Sequence, residues 1–169
     1  MRIDDKKREE LESIYLYFFN HEKTQKMKDV EMHRGSNTFL HSFKVAKLAV
    51  KRALRHKNVN LESVLIAAIL HDYYLYDWRR DRSKRKRHGK NHPFIAANNA
   101  KIDFDITEEV QAIIKQHMWP INLKDFPKTK EARIVNLADD HIALKEALTS
   151  RKFKAKRYEK DLAYVSNLF

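Results

Sequence analysis

Apolar residues recur every three or four positions along most of the chain, which is the spacing of one face of an α-helix. This spacing predicts about six helices, each with a buried face. Ser36 or Asn37 is a suitable N-terminal cap for the second of them, and Asn60 is suitable for the third. The predicted helices cover about residues 4–20, 36–56, 61–76, 93–100, 107–117 and 128–147.

The third predicted helix differs from the others because its middle, Val64 to Leu70, is apolar on every side. A helix of that kind is normally buried at the centre of its domain. In the last long helix, the spacing predicts that Ile134, Leu137, Ala138 and Ile142 face inward.

No internal repeat and no domain linker interrupts these helices. The highly charged segment 79–90 is predicted to be a loop, and the chain after Ser150 is predicted to be lightly packed. We therefore predict an all-α protein with a single domain over residues 1–150, followed by a basic C-terminal tail over residues 151–169.

The composition excludes several classes of protein, because the chain contains no Cys and only two Gly. There is no disulfide, thiolate nucleophile or iron–sulfur cluster, and no glycine-rich loop for nucleotide phosphates. The longest uncharged apolar run, residues 64–70, is far too short to span a bilayer. The first residues, MRIDDKKREE, lack the apolar core of a signal peptide. We therefore expect a cytoplasmic protein that does not enter a membrane.

The formal net charge of +12 is concentrated in two short segments. Residues 79–90 contain eight basic residues and one Asp, and residues 151–160 contain six basic residues and one Glu. The rest of the chain is formally neutral. Such segments favour anionic partners. We favour a phosphorylated small molecule that is attracted to a pocket, and nucleic acid is the less favoured alternative. For most of these residues a solvated run of charge is the ordinary explanation.

Several His and Asp residues lie on helix faces that should be buried, and they are His41, His71, Asp72, His117 and Asp139. Singly, each has an ordinary explanation, because a lone buried His is usually a hydrogen-bonded core residue. Together, imidazole nitrogens and carboxylates without a thiolate suit a divalent transition metal such as Fe, Mn, Zn, Co or Ni, and Mg is an acceptable alternative.

Two overlapping sets of ligands fit one or two ions. A first ion would take two nitrogens and two carboxylates from three helices, namely from His41, His71, Asp72 and Asp139. His92 and His117 would extend this set to a second ion. Asp72 is the natural bridging ligand, because a carboxylate has two oxygens and an imidazole has one free nitrogen.

The order of these residues resembles the H…HD…D pattern of the HD superfamily of metal-dependent phosphohydrolases. The resemblance extends from about His33 to Asp140. Within the superfamily, the chain resembles a subgroup of small HD hydrolases with the pattern H…HD…H…H…D. It includes the stretches HDYYLYDW (71–78), HGKNHPFIAANNA (88–100), HMWP (117–120) and EARIVNLADD (131–140). The resemblance implies a bundle of about six to seven helices around a metal site, and hydrolysis of a phosphomonoester or phosphodiester by metal-activated water.

The resemblance also implies roles for individual residues. The implied primary ligands are His41, His71, Asp72 and Asp139, the additional ligands are His92 and His117, and the catalytic residues are Asp72, His92 and His117. His88 competes with His92 for the ligand role, and we favour His92 because it begins the following predicted helix.

The sequence departs from the subgroup at two places. Asp140 occupies the position at which the resemblance to the subgroup implies a Lys, and this difference alters the local charge. Tyr73 and Tyr74 follow the HD pair where some nucleotide-hydrolysing branches have a nearby Lys, and this weakens the case for a nucleoside triphosphate substrate.

The basic segment 79–90 joins the HD pair to His88 and His92, so its two ends should lie close to the metals. The phosphate-binding candidates are His88 and Lys90, followed by Arg34 and His33. One alternative is a nucleic-acid-binding module that uses both basic segments, and another is an HD domain that binds metal without turnover. The substrate, the native metal and the oligomeric state are not assigned by the sequence.

Overall fold

The computed structural model describes residues 3–32, 36–79, 85–148 and 154–169. Over these residues the regular structure is helical apart from one isolated bridge between Glu31 and Asn37, which confirms the predicted all-α fold. The α-helices are α1 (Asp5–Asn20), α2 (Glu22–Gln25), α3 (Thr38–Ala53), α4 (Leu61–Leu70), α5 (His88–Phe104), α6 (Glu108–Gln116), α7 (Lys130–Leu148) and α8 (Lys154–Tyr164), and a 3₁₀-helix covers Lys26–Asp29. No helix in the described ranges combines the length and apolar character that a membrane span requires.

Several of these helices begin at side-chain caps, and the caps of α3 and α4 were predicted. The side chain of Asn37, rather than that of Ser36, accepts a hydrogen bond from the N–H three residues later, at 2.9 Å. Asn60 caps α4 in the same way, and Asp4 and Thr107 cap α1 and α6. Each cap satisfies an N–H that has no partner inside its helix, which is typically worth ~1 kcal/mol.

Helix α4 is the buried centre of the bundle, as its apolar sequence predicts. It packs against α1, α3, α6 and α7, and Val64, Ile69 and Leu70 have no exposed surface. Each such side chain contributes on the order of 1.5–3 kcal/mol relative to an exposed position. Packing on all sides also fixes the position of His71 and Asp72, which follow the helix directly.

The predicted C-terminal end of α4 is wrong by several residues. The helix ends at Leu70 rather than near Tyr76, and the chain reaches a positive backbone angle φ of 52° at Leu75. A residue in this left-handed region cannot continue a right-handed helix. The regular helix therefore ends directly before the HD pair, although the backbone of His71 keeps right-handed helical angles.

Two further predictions about helix positions are wrong. Helix α5 begins at His88 rather than at Pro93, so the described end of the 79–90 segment is the first turn of a helix and not a loop. Pro93 lies in the second turn, where its missing N–H removes only one bond of the helix. On α7, Leu137 is 58% exposed instead of facing inward, whereas Ile142 is buried.

The prediction of a lightly packed tail is wrong for its described part. Helix α8 is followed by Val165 and Leu168, which are 0% and 4% exposed. The Tyr15 hydroxyl donates a 2.8 Å hydrogen bond to the Val165 carbonyl oxygen, which fastens the C-terminal segment to α1. Basic residues alternate with apolar ones here, and the apolar ones supply a packed face.

Candidate metal centre

The six predicted ligand side chains converge on one buried site, which we call the His/Asp cluster. His41 lies in the first turn of α3, His71 and Asp72 follow α4, His92 lies on α5, His117 follows α6 and Asp139 lies on α7. Their exposed fractions range from 0% to 8%. Residues that are far apart in the sequence thus meet where five helices pack together.

Asp72 lies at the middle of this cluster, and its two oxygens face different histidines. Its Oδ1 is 3.2 Å from His92 Nε2 and 3.7 Å from His117 Nε2. Its Oδ2 is 3.5 Å from His71 Nε2 and 4.0 Å from His41 Nε2. The carboxylate therefore lies between two pairs of imidazoles.

Asp139 closes one side of the cluster. Its Oδ1 is 2.9 Å from His41 Nε2 and 3.5 Å from His71 Nε2. Among the described residues, three overlapping groups have ligand atoms within 4.8 Å of one another. They are His41–His71–Asp72, His71–His117–Asp139 and Asp72–His92–His117.

The orientation of three of the histidine rings directs Nε2 into the cluster. In His71, His92 and His117 the Nδ1 atom faces a backbone carbonyl oxygen, which requires a proton on Nδ1. The acceptors are the carbonyl oxygens of Ala68, His88 and Ile114, at 2.8, 2.9 and 2.8 Å. In neutral rings, the Nε2 atoms that point into the cluster then carry lone pairs.

These lone pairs have no suitable hydrogen-bond partner within the cluster. Nε2 of His71 is buried without a hydrogen bond, and the Nε2 atoms of His92 and His117 face each other at 3.0 Å. Two neutral acceptors repel at that distance unless a cation lies beside them. Nitrogen and carboxylate ligands with fixed second ring nitrogens therefore fit a divalent metal.

Comparison with known families gives an independent result. The family model described as HD domain matches residues 38–144, which is more than half of the chain. The chain belongs to the HD domain family. Members of this family are generally metal-dependent phosphohydrolases. Neither the curated proteins nor the solved structures gave a significant match.

The electrostatics of the His/Asp cluster favour metal-binding forms of the two carboxylates and of His117, whereas hydrogen bonds and charges of the carboxylates outweigh burial and raise the pKa values of His41 and His71. Burial alone would raise the pKa of Asp72, but His71 and the other nearby histidines lower it below its usual range. Burial alone would likewise raise the pKa of Asp139, but His71 and His41 lower it below its usual range. Burial, followed by the charges of His71 and His92, lowers the pKa of His117 to about 3. Ionised carboxylates and a neutral imidazole are metal-binding forms.

His88 lies beside the cluster and not in it. Its ring stacks on His92 and on Trp78, with ring centroids 4.6 Å and 4.7 Å apart, and its Nδ1 is 3.0 Å from the Tyr76 hydroxyl. Burial, and then His92, lowers the pKa of His88 to about 4. The groups of described residues that can hold a metal include His92 and not His88. This arrangement favours His92 as the ligand.

The other predicted phosphate contacts are not gathered at the cluster by the described structure. The side chain of Lys90 is exposed, and its backbone carbonyl oxygen accepts a hydrogen bond from Asn122 Nδ2 at 3.1 Å. His33 and Arg34 lie outside the described residues, as do residues 80–84 of the basic segment.

Sequence analysis missed Glu146 and Lys44, which lie behind His41. Glu146 is 2% exposed and accepts hydrogen bonds from His41 Nδ1 at 3.0 Å and from Lys44 Nζ at 2.9 Å. Burial alone would raise the pKa of Glu146, but His41 and then Lys44 lower it to about 2. The available signal was spacing, because Glu146 follows Asp139 by two helical turns and shares its inward face.

Asn136 was also missed, and it supports His117. Its Nδ2 donates to the carbonyl oxygens of His117 at 2.6 Å and of Trp119 at 2.7 Å. These bonds hold the turn after α6 against α7, so they fix the backbone that carries the His117 ring. In the sequence, the only sign of this role was the position of Asn136 between two apolar residues of a predicted helix.

Proposed function

We propose that this HD domain hydrolyses a phosphomonoester or phosphodiester with the help of two divalent ions. The observation that carries the proposal is the division of Asp72, whose Oδ1 faces His92 and His117 while its Oδ2 faces His71 and His41. A carboxylate that bridges two ions presents its oxygens in this manner. Paired ions are a common device for phosphoester hydrolysis.

The ligands divide between the two ions as follows. His71 and His41 would hold the first ion together with both carboxylates, Asp72 and Asp139. His92 and His117 would hold the second ion and share Asp72 with the first. The second ion would then have only three protein ligands, which leaves coordination positions open for water and for the substrate.

The chemistry combines the metal with this chain's own residues. A bound divalent metal supplies Lewis acidity, which lowers the pKa of its water toward 7 and polarises a phosphoryl oxygen. Asp72 would orient the attacking water and share its proton, because it lies between the two ligand groups. Burial of the cluster excludes bulk water and strengthens each of these electrostatic interactions.

The proposed substrate is an anionic, phosphorylated small molecule. Of the two predicted phosphate contacts that the structure describes, His88 is better placed than Lys90, since its ring stacks on His92. Donors near the phosphorus stabilise the charge that develops in the transition state. Ligands of nitrogen and oxygen suit Fe, Mn, Co, Ni or Zn, and Mg suits the carboxylates.

The proposal is tested by metal content and activity together. Protein purified without chelators should contain close to two equivalents of transition metal by elemental analysis. With that metal it should cleave p-nitrophenyl phosphate or bis-p-nitrophenyl phosphate, and Asp72→Ala should lose both metal and activity. Asp140→Ala is the matched control, because Asp140 is an exposed carboxylate next to a ligand. It should keep both properties.

Two outcomes would contradict this proposal. Metal content near zero in wild-type protein would remove the cluster's proposed role. Nucleic-acid affinity that survives Asp72→Ala and falls steeply with salt would instead favour the binding module built on the basic segments.

A further inference from the structure

We propose that Glu146 is a positioning residue for the metal centre, and that it couples the C-terminal helix α8 to the cluster. Glu146 would hold the His41 ring so that Nε2 points at the metal. Lys44 holds Glu146 in turn and joins it to Asp161 on α8. This inference rests on the proposed function, because it concerns the affinity of the same cluster for metal.

Both oxygens of Glu146 are used, which fixes the orientation of the carboxylate. Its Oε2 accepts from His41 Nδ1 at 3.0 Å. Its Oε1 accepts from Lys44 Nζ at 2.9 Å and from Ser36 Oγ at 3.2 Å. A carboxylate that accepts the second ring N–H of a metal-binding histidine fixes the ring and makes its other nitrogen a stronger ligand.

Lys44 extends this arrangement to α8. Its Nζ lies 2.6 Å from Asp161 Oδ2, so one ammonium group bridges carboxylates of α7 and α8. Lys44 is 7% exposed. A buried ion pair is a weak source of stability, because desolvation of the charges offsets their attraction. Orientation of His41 gives these buried charges a role that an apolar pair of the same size could not fill.

The residues that carry this inference go beyond the family match. Glu146 and Asp161 both follow the matched residues, 38–144. Membership of the HD family therefore implies the ligands but not the support behind His41. The C-terminal helix is then part of the machinery that sets metal affinity, and not only a cover for α1 and α3.

The test is a titration of metal-free protein with Co²⁺, followed by the visible absorption of the bound ion. Glu146→Gln should bind Co²⁺ about 10–100-fold more weakly, the usual effect of losing such a partner, and Asp161→Asn should lie near the lower end of that range. The control is Glu159→Gln, an exposed carboxylate on the same helix α8. It should leave Co²⁺ affinity unchanged.

A double variant separates positioning from general destabilisation. If Asp161 acts through Lys44 and Glu146, Glu146→Gln combined with Asp161→Asn should bind Co²⁺ no more weakly than Glu146→Gln alone, because the residues act as one unit. Glu146→Gln affinity equal to that of wild type would overturn the inference. Full additivity of the two losses would overturn the coupling to α8.

A measurement on metal-free protein decides the matter independently. The Nδ1 proton of His41, held by Glu146, should give a slowly exchanging, downfield proton NMR resonance. It should shift or broaden in Glu146→Gln and to a lesser degree in Asp161→Asn, which tests the link if Glu146→Gln does not fold. An unchanged resonance overturns the inference. Failure of wild-type protein to bind Co²⁺ would instead overturn the proposed function.

Discussion

Replacement of Asp139 by Asn tests whether this buried carboxylate stabilises the His/Asp cluster. The control is Asp140→Asn, which makes the same change at the exposed neighbouring residue. Asp139 Oδ1 lies 2.9 Å from His41 Nε2 and 3.5 Å from His71 Nε2. Burial lowers the pKa of His41, but its hydrogen bonds to Asp139 and Glu146 outweigh burial and raise it to about 10. In metal-free protein at pH 7, His41 is therefore charged and Asp139 compensates that charge.

The cost of removing this compensation follows from the burial of the pair. Loss of one partner of a buried ion pair costs about 3–5 kcal/mol. For 169 residues each kcal/mol lowers the melting temperature by about 2–4 °C. Metal-free Asp139→Asn should thus melt about 6–20 °C below wild type. Asp140→Asn should stay within about 0.5 kcal/mol of wild type, because that side chain is exposed.

The assay is thermal unfolding followed by circular dichroism, with chelator and then with metal. Metal at a free concentration of 100 times its Kd should stabilise wild type by about 2.7 kcal/mol, and Asp140→Asn should respond equally. Asp139→Asn should respond far less, because it lacks one of the proposed ligands. Equal melting temperatures for the two variants in chelator would refute the reasoning.

Four other substitutions test the choice of ligand, the anchor of the C-terminal segment and the central position of α4. His92→Ala should lose one of two metal equivalents after dialysis while His88→Ala keeps both, and the reverse result by elemental analysis would assign the ligand role to His88. Tyr15→Phe should lower the free energy of unfolding in urea by about 1–3 kcal/mol, because the buried Val165 carbonyl loses its donor; no change would show that this bond does not anchor the C-terminal segment. Burial raises the pKa of Tyr15, so the folded state keeps a proton that the unfolded state releases above about pH 10. Wild-type stability should fall above that pH, and more steeply than the stability of Tyr15→Phe. Ile69→Ala should cost about 2–5 kcal/mol in the same urea assay, and a change below about 0.5 kcal/mol, the usual effect at a surface position, would contradict the central position of α4.

The helices were predictable where local pattern and burial agree. Helix α4 is apolar on every side and has a cap at Asn60, so its start and its central position followed from the sequence. Its end did not, because the left-handed backbone at Leu75 depends on where the following aromatic residues pack. Tyr74 and Tyr76 both contact the ring of His88, with centroids 4.9 Å and 5.6 Å away. Contacts of that range cannot be inferred from spacing.

Five of the six candidate ligands, all but His92, were predictable because each is a polar residue on a helix face that should be buried. The choice between His88 and His92 was harder, since the two lie one helical turn apart on the same helix and their rings stack. Glu146 was missed because a charged residue near a helix end is ordinarily solvated. Only the packing of α7 against α3 shows that it lies against His41.

The C-terminal segment was misjudged because its charge concealed its apolar face. Tyr158 and Leu162 pack against the core at helical spacing, and Val165 and Leu168 are buried beyond them. High charge predicts exposure only for the residues that carry it. Lys44 and Asp161 pair here at 2.6 Å, so part of the charge itself binds this segment to the domain.

The central claim is that the His/Asp cluster binds two metal ions that share Asp72. Anomalous X-ray scattering from crystals of the Mn²⁺-loaded protein tests it most directly. We expect two peaks about 3.5–4 Å apart, with one oxygen of Asp72 directed at each. Crystals with no anomalous peak at the cluster, or with a single ion that leaves His92 and His117 unligated, would contradict it.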